Sequence, residues 1–334
     1  MPIARSVRKL VAYVPGEQPR SKDVVKLNTN ENPYPPSPRC AKVLAEFDLD
    51  RLRRYPDPNF MELRRAIAKL NKTVPEKVFV GNGSDEILAL SAKAFVENDG
   101  SIGSLDPSYS LYKTLAAIRD VPWKPSADCS LFLLTNPNAP TGVLKPRAEV
   151  AAFAKKFRGV LIVDEAYADF ASENCMQLAT AESNKNVIVM RTFSKSYSLA
   201  GMRVGYCVGP VALIEALYKI KDSYNVDAVA QSVALAALQD RRHFAANVAK
   251  VKRTRRAFAK ELARRGWTVM PSEANFVFAK PPKGQPSAAE LYQSLRRRNI
   301  FVRYFPSSAN TRDWLRITIG TDADMAKLLE ALDS

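Results

Sequence analysis

A chain of 334 residues has room for about two domains and for a core that needs neither disulfides nor a structural metal. A single histidine, His243, argues against a zinc site, a Ser-His-Asp triad or a histidine proton shuttle. The net charge of +16 is spread along the chain, with clusters at 51–54, 250–256 and 296–298 that fall on expected helix faces. No nucleic-acid-reading motif accompanies them, so anionic small molecules are the favoured partners over nucleic acid.

The first 19 residues are basic but hold no apolar stretch of signal-peptide length, and no run long enough to span a membrane follows. Four separated cysteines, with no C-x-x-C pair, read as reduced thiols, and the expected location is the cytoplasm. Apolar, β-branched runs predict strands at 78–80, 102–105, 131–135, 160–163, 187–191 and 204–208. Helices are expected between them near 61–70, 84–96, 146–157 and 211–219. Such alternation implies an α/β fold with a largely parallel sheet covered by helices on both faces.

Past residue 226 the pattern changes to a smaller α+β domain. Helices are expected at 228–238 and 244–264, then strands at 267–270, 276–279, 301–303 and 315–319, with helices at 288–297 and 325–332. No Pro/Gly-rich linker separates the two parts, which predicts that a continuous helix joins them.

Three polar groupings fall just past predicted strand ends. LFLLTNPNAPTG delivers Asn138, VLIVDEAY delivers Asp164 and Tyr167, and VIVMRTFSKSYS delivers Ser194 and Lys195. Open α/β sheets bind ligands outside the carboxyl ends of their strands, so these groups should share one crevice. Burial there would lower the pKa of Lys195 and free its amine as a nucleophile toward an aldehyde. Asp164 follows four apolar residues, where a carboxylate needs a cation such as a protonated ring nitrogen. The turn GNGSDE opens a predicted helix, and its backbone N–H groups suit a phosphate, to which Arg203 could add a forked donor. It lacks the third glycine of a dinucleotide fingerprint and the lysine of a P-loop.

The ordered set GNGSDE, DPSYSLY, NPNAPTG, VDEAY, TFSKSYSLAGMRVGY and LRITIGT resembles the fold-type-I pyridoxal 5'-phosphate aminotransferases. YVPGEQP, LNTNENPYPPSP and RRYPDP narrow the resemblance to the histidinol-phosphate aminotransferase family. It implies a large cofactor-binding domain over 33–226 built on a mostly parallel seven-stranded sheet. An N-terminal arm over 1–32 would pack with a small domain over 227–334. The implied reaction moves an amino group between L-histidinol phosphate and 2-oxoglutarate. Lys195 would hold the cofactor covalently and shuttle the substrate proton, Asp164 would pair with the pyridine nitrogen, and Tyr167 would bond the ring's phenolic oxygen. Tyr109 would stack on the ring, and Ser84, Asp85, Ser194 and Arg203 would hold the phosphate. Tyr55 would reach the phosphate in a neighbouring subunit, making the active unit a homodimer.

On the substrate side the resemblance implies Arg316 as the partner of a carboxylate or phosphate, with Arg303, Tyr13 and Asn32 nearby. One departure stands out. Many relatives carry asparagine before PTG to contact the ring oxygen, where this chain has Ala139, which leaves Asn138 as the nearest substitute. Two other activities share the pattern, an aromatic amino-acid aminotransferase and a threonine-phosphate decarboxylase. A non-catalytic regulator on the same fold is the remaining alternative.

Overall fold

The computed structural model describes residues 2–3, 5–8, 10, 16–19 and 23–333. Strand β1 (Val25–Lys26) belongs to the N-terminal segment. Strands β2 (Val78–Asn82), β3 (Ile102–Ser104), β4 (Trp123–Lys124), β5 (Leu131–Thr135), β6 (Val160–Asp164), β7 (Val187–Thr192) and β8 (Val204–Val208) form one seven-stranded sheet. Its order is β2-β8-β7-β6-β5-β3-β4, and only β8 runs antiparallel to its neighbours. The mostly parallel α/β sheet expected from the sequence is present.

The central strands are apolar up to their carboxyl ends because both faces are covered. Phe132, Leu134, Leu161, Val163 and Val189 enter one core, while Leu131, Leu133, Ile162, Ile188 and Met190 enter another on the opposite face. That alternation ends at the carboxyl edge. There β5, β6 and β7 finish on Thr135, Asp164 and Thr192, three polar residues in a row across the sheet.

A third core surrounds a four-stranded antiparallel sheet of β9 (Thr268–Val269), β10 (Phe276–Lys280), β12 (Arg303–Tyr304) and β13 (Leu315–Thr318), ordered β12-β13-β10-β9. Strand β11 (Ile300–Phe301) pairs in parallel with β1, which ties the N-terminal segment to this sheet's surroundings. The strand expected over 301–303 is thus two short strands with different partners, divided at Val302.

The helix expected to join the two parts is broken once. Ala228–Gln239 ends at Asp240, whose carboxylate then accepts from His243 N at 3.2 Å and caps Arg241–Arg264. The first helix buries Ala230, Val233, Ala234 and Ala237 in a core shared with the seven-stranded sheet. The second, 24 residues long, buries Val251, Phe258 and Leu262 in the core of the smaller sheet, and Phe244 touches both cores. Helices Pro38–Ala45, Leu111–Ile118 and Met176–Thr180 are additions to the sequence-based expectation. Among the described residues no helix is long and apolar enough to cross a membrane.

Candidate active site

A cavity of about 330 Å³ opens over the carboxyl ends of β5, β6 and β7 and is closed from the other side by β12 and β13. Thr135, Asp164 and Thr192 line its floor, with Lys195 beside them. A larger cleft of about 620 Å³ lies between helix Pro38–Ala45 and helix Ala228–Gln239, but no lysine lines it and it offers no nucleophilic amine.

Asp164 is only 4% exposed. Its carboxylate accepts from Tyr112 Oη at 2.8 Å and from Ala166 N at 3.1 Å. Burial pushes its pKa up to about 6, against the pull of those two donors. Tyr112 is itself fully buried and lies 2.6 Å from Thr135 Oγ1. An ionised Asp164 only accepts, so the tyrosine proton points to it, and Thr135 must donate to the tyrosine oxygen. Among the described residues no lysine, arginine or histidine forms an ion pair with Asp164. The site therefore has a place for one more positive charge.

Lys195 is partly buried, and its Nζ donates to Thr29 O at 3.1 Å. Burial, helped by the positive charge of Arg316 and opposed by Glu31, lowers its pKa to about 8. The amine lies 6.0 Å from the centroid of the Tyr167 ring. Tyr167 Oη accepts from Asn30 Nδ2 at 2.9 Å, which fixes the hydroxyl within the cavity wall.

The glycine turn behaves as its sequence suggests. Gly83 has φ +77° and starts helix Gly83–Ala94, with Ser84 and Asp85 in the first turn. A Cβ on Gly83 would lie 2.7 Å from Arg203 Nη2, and one on Gly205 would lie 2.6 Å from Ser84 N. Both positions need glycine because the Arg203 guanidinium and strand β8 press directly on the helix start. Arg203 Nη2 is 3.6 Å from Asp85, and Ser194 Oγ accepts from Thr192 Oγ1 at 2.9 Å. Tyr109 lines the same end, its Oη 3.4 Å from Asp85.

At the mouth, Arg303 and Arg316 oppose each other across β12 and β13. Both guanidiniums lie over the Phe305 ring, at 5.5 and 5.4 Å from its centroid. Arg316 Nη2 also donates to Asn28 O at 2.8 Å. Like charges on directly opposed strand positions repel, and an anion held by both removes the cost.

Of the residues singled out from the sequence, the cavity brings together Lys195, Asp164, Tyr167, Ser84, Asp85, Tyr109, Ser194, Arg203, Arg303 and Arg316. Three others sit elsewhere. Asn138 does not line the cavity: its Nδ2 donates to Pro107 O at 3.1 Å and to Thr141 Oγ1 at 3.0 Å, and Ala139 faces the cavity beside it. Asn32 is occupied behind the lysine, donating to Lys195 O at 3.0 Å. Tyr55 is 80% exposed and stacks on Tyr224 with centroids 4.3 Å apart. Tyr13 lies outside the described residues. Sequence reasoning missed Tyr112, Asn30 and Glu31; the first follows Tyr109 by three in DPSYSLY, and the other two precede Asn32 in LNTNENPYPPSP, so each lay inside a motif already singled out.

The profile of the class I and II aminotransferase family matches residues 22–332. Histidinol-phosphate aminotransferase 1 of a Nostoc species is 43% identical over 98% of this chain and 96% of its own length. Histidinol-phosphate aminotransferase 1 of Bradyrhizobium diazoefficiens is 44% identical over 98% of this chain and 97% of its own. The crystal structure of histidinol-phosphate aminotransferase from Sinorhizobium meliloti in complex with pyridoxal 5'-phosphate superposes with a TM-score of 0.91 at 25% identity, covering 99% of this chain and 96% of that one. The chain belongs to the class I and II aminotransferases and, within them, to the histidinol-phosphate aminotransferase family.

Proposed function

We propose that the chain transfers the amino group of L-histidinol phosphate to 2-oxoglutarate, with pyridoxal 5'-phosphate as cofactor, in histidine biosynthesis. The products are imidazole acetol phosphate and L-glutamate. The observation that carries the reading is one cavity holding three things: a buried carboxylate short of a cation, a lysine amine lowered to about 8, and two arginines side by side. The relatives' names supply the substrate.

The residues present fit the cofactor. A protonated pyridine nitrogen supplies the charge that Asp164 lacks, and the helix start at Gly83 with Arg203 suits its phosphate. When bound, the cofactor offers an aldehyde for an amine and a ring that takes up electrons released from the substrate carbon. The chain does the rest. Lys195 Nζ is the anchor and the base that moves the substrate proton, since its lowered pKa keeps a neutral fraction near neutral pH. Asp164 keeps the ring nitrogen protonated, while Tyr167 and Tyr109 orient the ring. Ser84, Ser194 and Arg203 hold the phosphate, with Asp85 aligning the arginine. Arg303 and Arg316 take the substrate anion, which is a phosphate in one half-reaction and a carboxylate in the other.

The same reading divides the chain into an arm (1–32), a large unit (33–226) and a smaller unit (227–334), supported by the separate core around the four-stranded sheet. It also makes the active unit a homodimer, for which the outward Tyr55 is the supporting feature. A cytoplasmic location is supported by four free cysteines, three of them buried.

The test mixes the cofactor-loaded protein with L-histidinol phosphate, phenylalanine and threonine phosphate in turn and follows the cofactor's visible absorbance. Histidinol phosphate should react with a kcat/KM at least about 10²-fold above the others, the scale of one lost charge-assisted contact. Equal or faster reaction of either competitor overturns the substrate assignment.

A further inference from the structure

Lys195 lies beyond the hydrogen-bond ladder that fixes Asp164. Strands β6 and β7 run in register as far as Asp164 and Met190, and Glu165 N donates to Met190 O at 2.8 Å. The sheet therefore places Asp164. Strand β7 ends at Thr192, Phe193 N still donates to Val204 O of β8 at 3.0 Å, and Lys195 follows in the loop beyond. Side chains must tie that loop down. Two of these ties flank the amine's own residue: Asn32 Nδ2 donates to Lys195 O, and Ser196 Oγ donates to Asp169 Oδ2.

Asp169 is held in turn by Arg191. Its Nη1 donates to Asp169 Oδ1 at 2.9 Å, while Nε and Nη2 donate to Glu165 Oε2 at 3.0 and 2.8 Å. The second oxygen of Glu165 accepts from Cys175 N, and the Glu165 side chain is wholly buried. One guanidinium thus bridges two carboxylates. Each member of the bridge sits next to the site without lining the cavity: Glu165 follows Asp164, Asp169 comes two residues after Tyr167, and Ser196 follows Lys195. Buried ion pairs are weak sources of stability because desolvation offsets their attraction, whereas a forked guanidinium is strongly directional. The arrangement is better suited to fixing geometry than to holding the fold.

We propose that Arg191 is a positioning residue: through Glu165, and through Asp169 and Ser196, it sets where the Lys195 amine stands relative to Asp164 and Tyr167. The ladder supplies the reference, and the Arg191–Asp169–Ser196 bridge carries it to the lysine loop. The proposal rests on the roles given to Lys195 and Asp164 above.

The test compares wild type, Ser196→Ala and Arg191→Lys as cofactor-loaded enzymes. Ser196→Ala cuts only the link to the lysine loop. It should lower kcat at least about tenfold, with both KM values within about threefold, because small misplacements of a reacting group cost rate rather than binding. It should also move the midpoint of the pH titration of the cofactor's visible absorbance by at least about half a pH unit, since that absorbance reports the lysine linkage. Arg191→Lys keeps the charge but cannot fork to two carboxylates, and should shift both readouts further in the same direction. A Ser196→Ala enzyme with wild-type kcat and titration midpoint, changed only in unfolding temperature, overturns the proposal. If Arg191→Lys fails to fold, Ser196→Ala decides alone. A wild type that shows no cofactor absorbance sinks the functional reading instead, so the two failures are separable.

Discussion

The floor of the cavity and its mouth are built on opposite principles. On the floor each polar group at the strand ends has a fixed protein partner: Thr135 with Tyr112, Asp164 with Tyr112 and Ala166 N, Thr192 with Ser194. At the mouth, two partly exposed guanidiniums face each other on adjacent strands over one phenylalanine ring. A floor of that kind holds one group in one pose. A mouth with concentrated like charge suits anions that come and go, and guanidinium geometry matches phosphate and carboxylate alike.

The comparison predicts that floor substitutions damage chemistry for every substrate, and that mouth substitutions divide the substrates. The largest effect belongs to Lys195→Ala, which should abolish turnover in steady-state assays while leaving non-covalent cofactor binding through the Gly83 and Arg203 cradle. Activity near wild type would remove the nucleophile that stands beside the floor. Next, Asp164→Asn keeps the shape but not the charge, and should cost at least about 10²-fold in kcat, roughly 3 kcal/mol of transition-state stabilisation. A loss under threefold with both substrates would reduce Asp164 to a structural group.

At the mouth, Arg316→Ala should slow both half-reactions by about 10²-fold in stopped-flow measurements. Arg303→Ala should raise the KM for histidinol phosphate more than the KM for 2-oxoglutarate. Equal effects of Arg303→Ala on the two substrates would erase the distinction between floor and mouth.

The smallest effect is a pH dependence. An amine lowered to about 8 is mostly neutral above that pH and mostly protonated below it. Covalent cofactor uptake by the cofactor-free protein should therefore rise about tenfold per pH unit below about 8 and level off above it. A rate still climbing at pH 10 would show that the lysine keeps its ordinary pKa.

Six of the sheet's seven strands, and Asp164 on the floor, were legible in the sequence because strands buried on both faces read as unbroken apolar runs. Their polar end residues, such as Asp164, then stand out. Short elements were not. Strands β1 and β4 have two residues each, too few to show a period, the run at 301–303 hid its division into β11 and β12, and helix Leu111–Ile118 spans barely two turns. The break at Asp240 depends on a side-chain cap that an apolar pattern does not register. Partner choice was the other blind spot. Asn32 bonds Lys195 O across 163 residues of sequence, and Tyr112 reaches Asp164 across 52. Asn138 was within the right motif, but its amide is satisfied by Pro107 and Thr141.

The central claim is that Lys195 carries the cofactor in this cavity, and borohydride tests it most directly. Reduction of the pyridoxal-phosphate-loaded protein makes the cofactor–amine link permanent, and digestion with mass spectrometry then locates it. The account predicts a single modified peptide containing Lys195, and none when histidinol phosphate is added before the reductant. A label on any other lysine, or a Lys195 peptide that stays unmodified in protein saturated with cofactor, would contradict it.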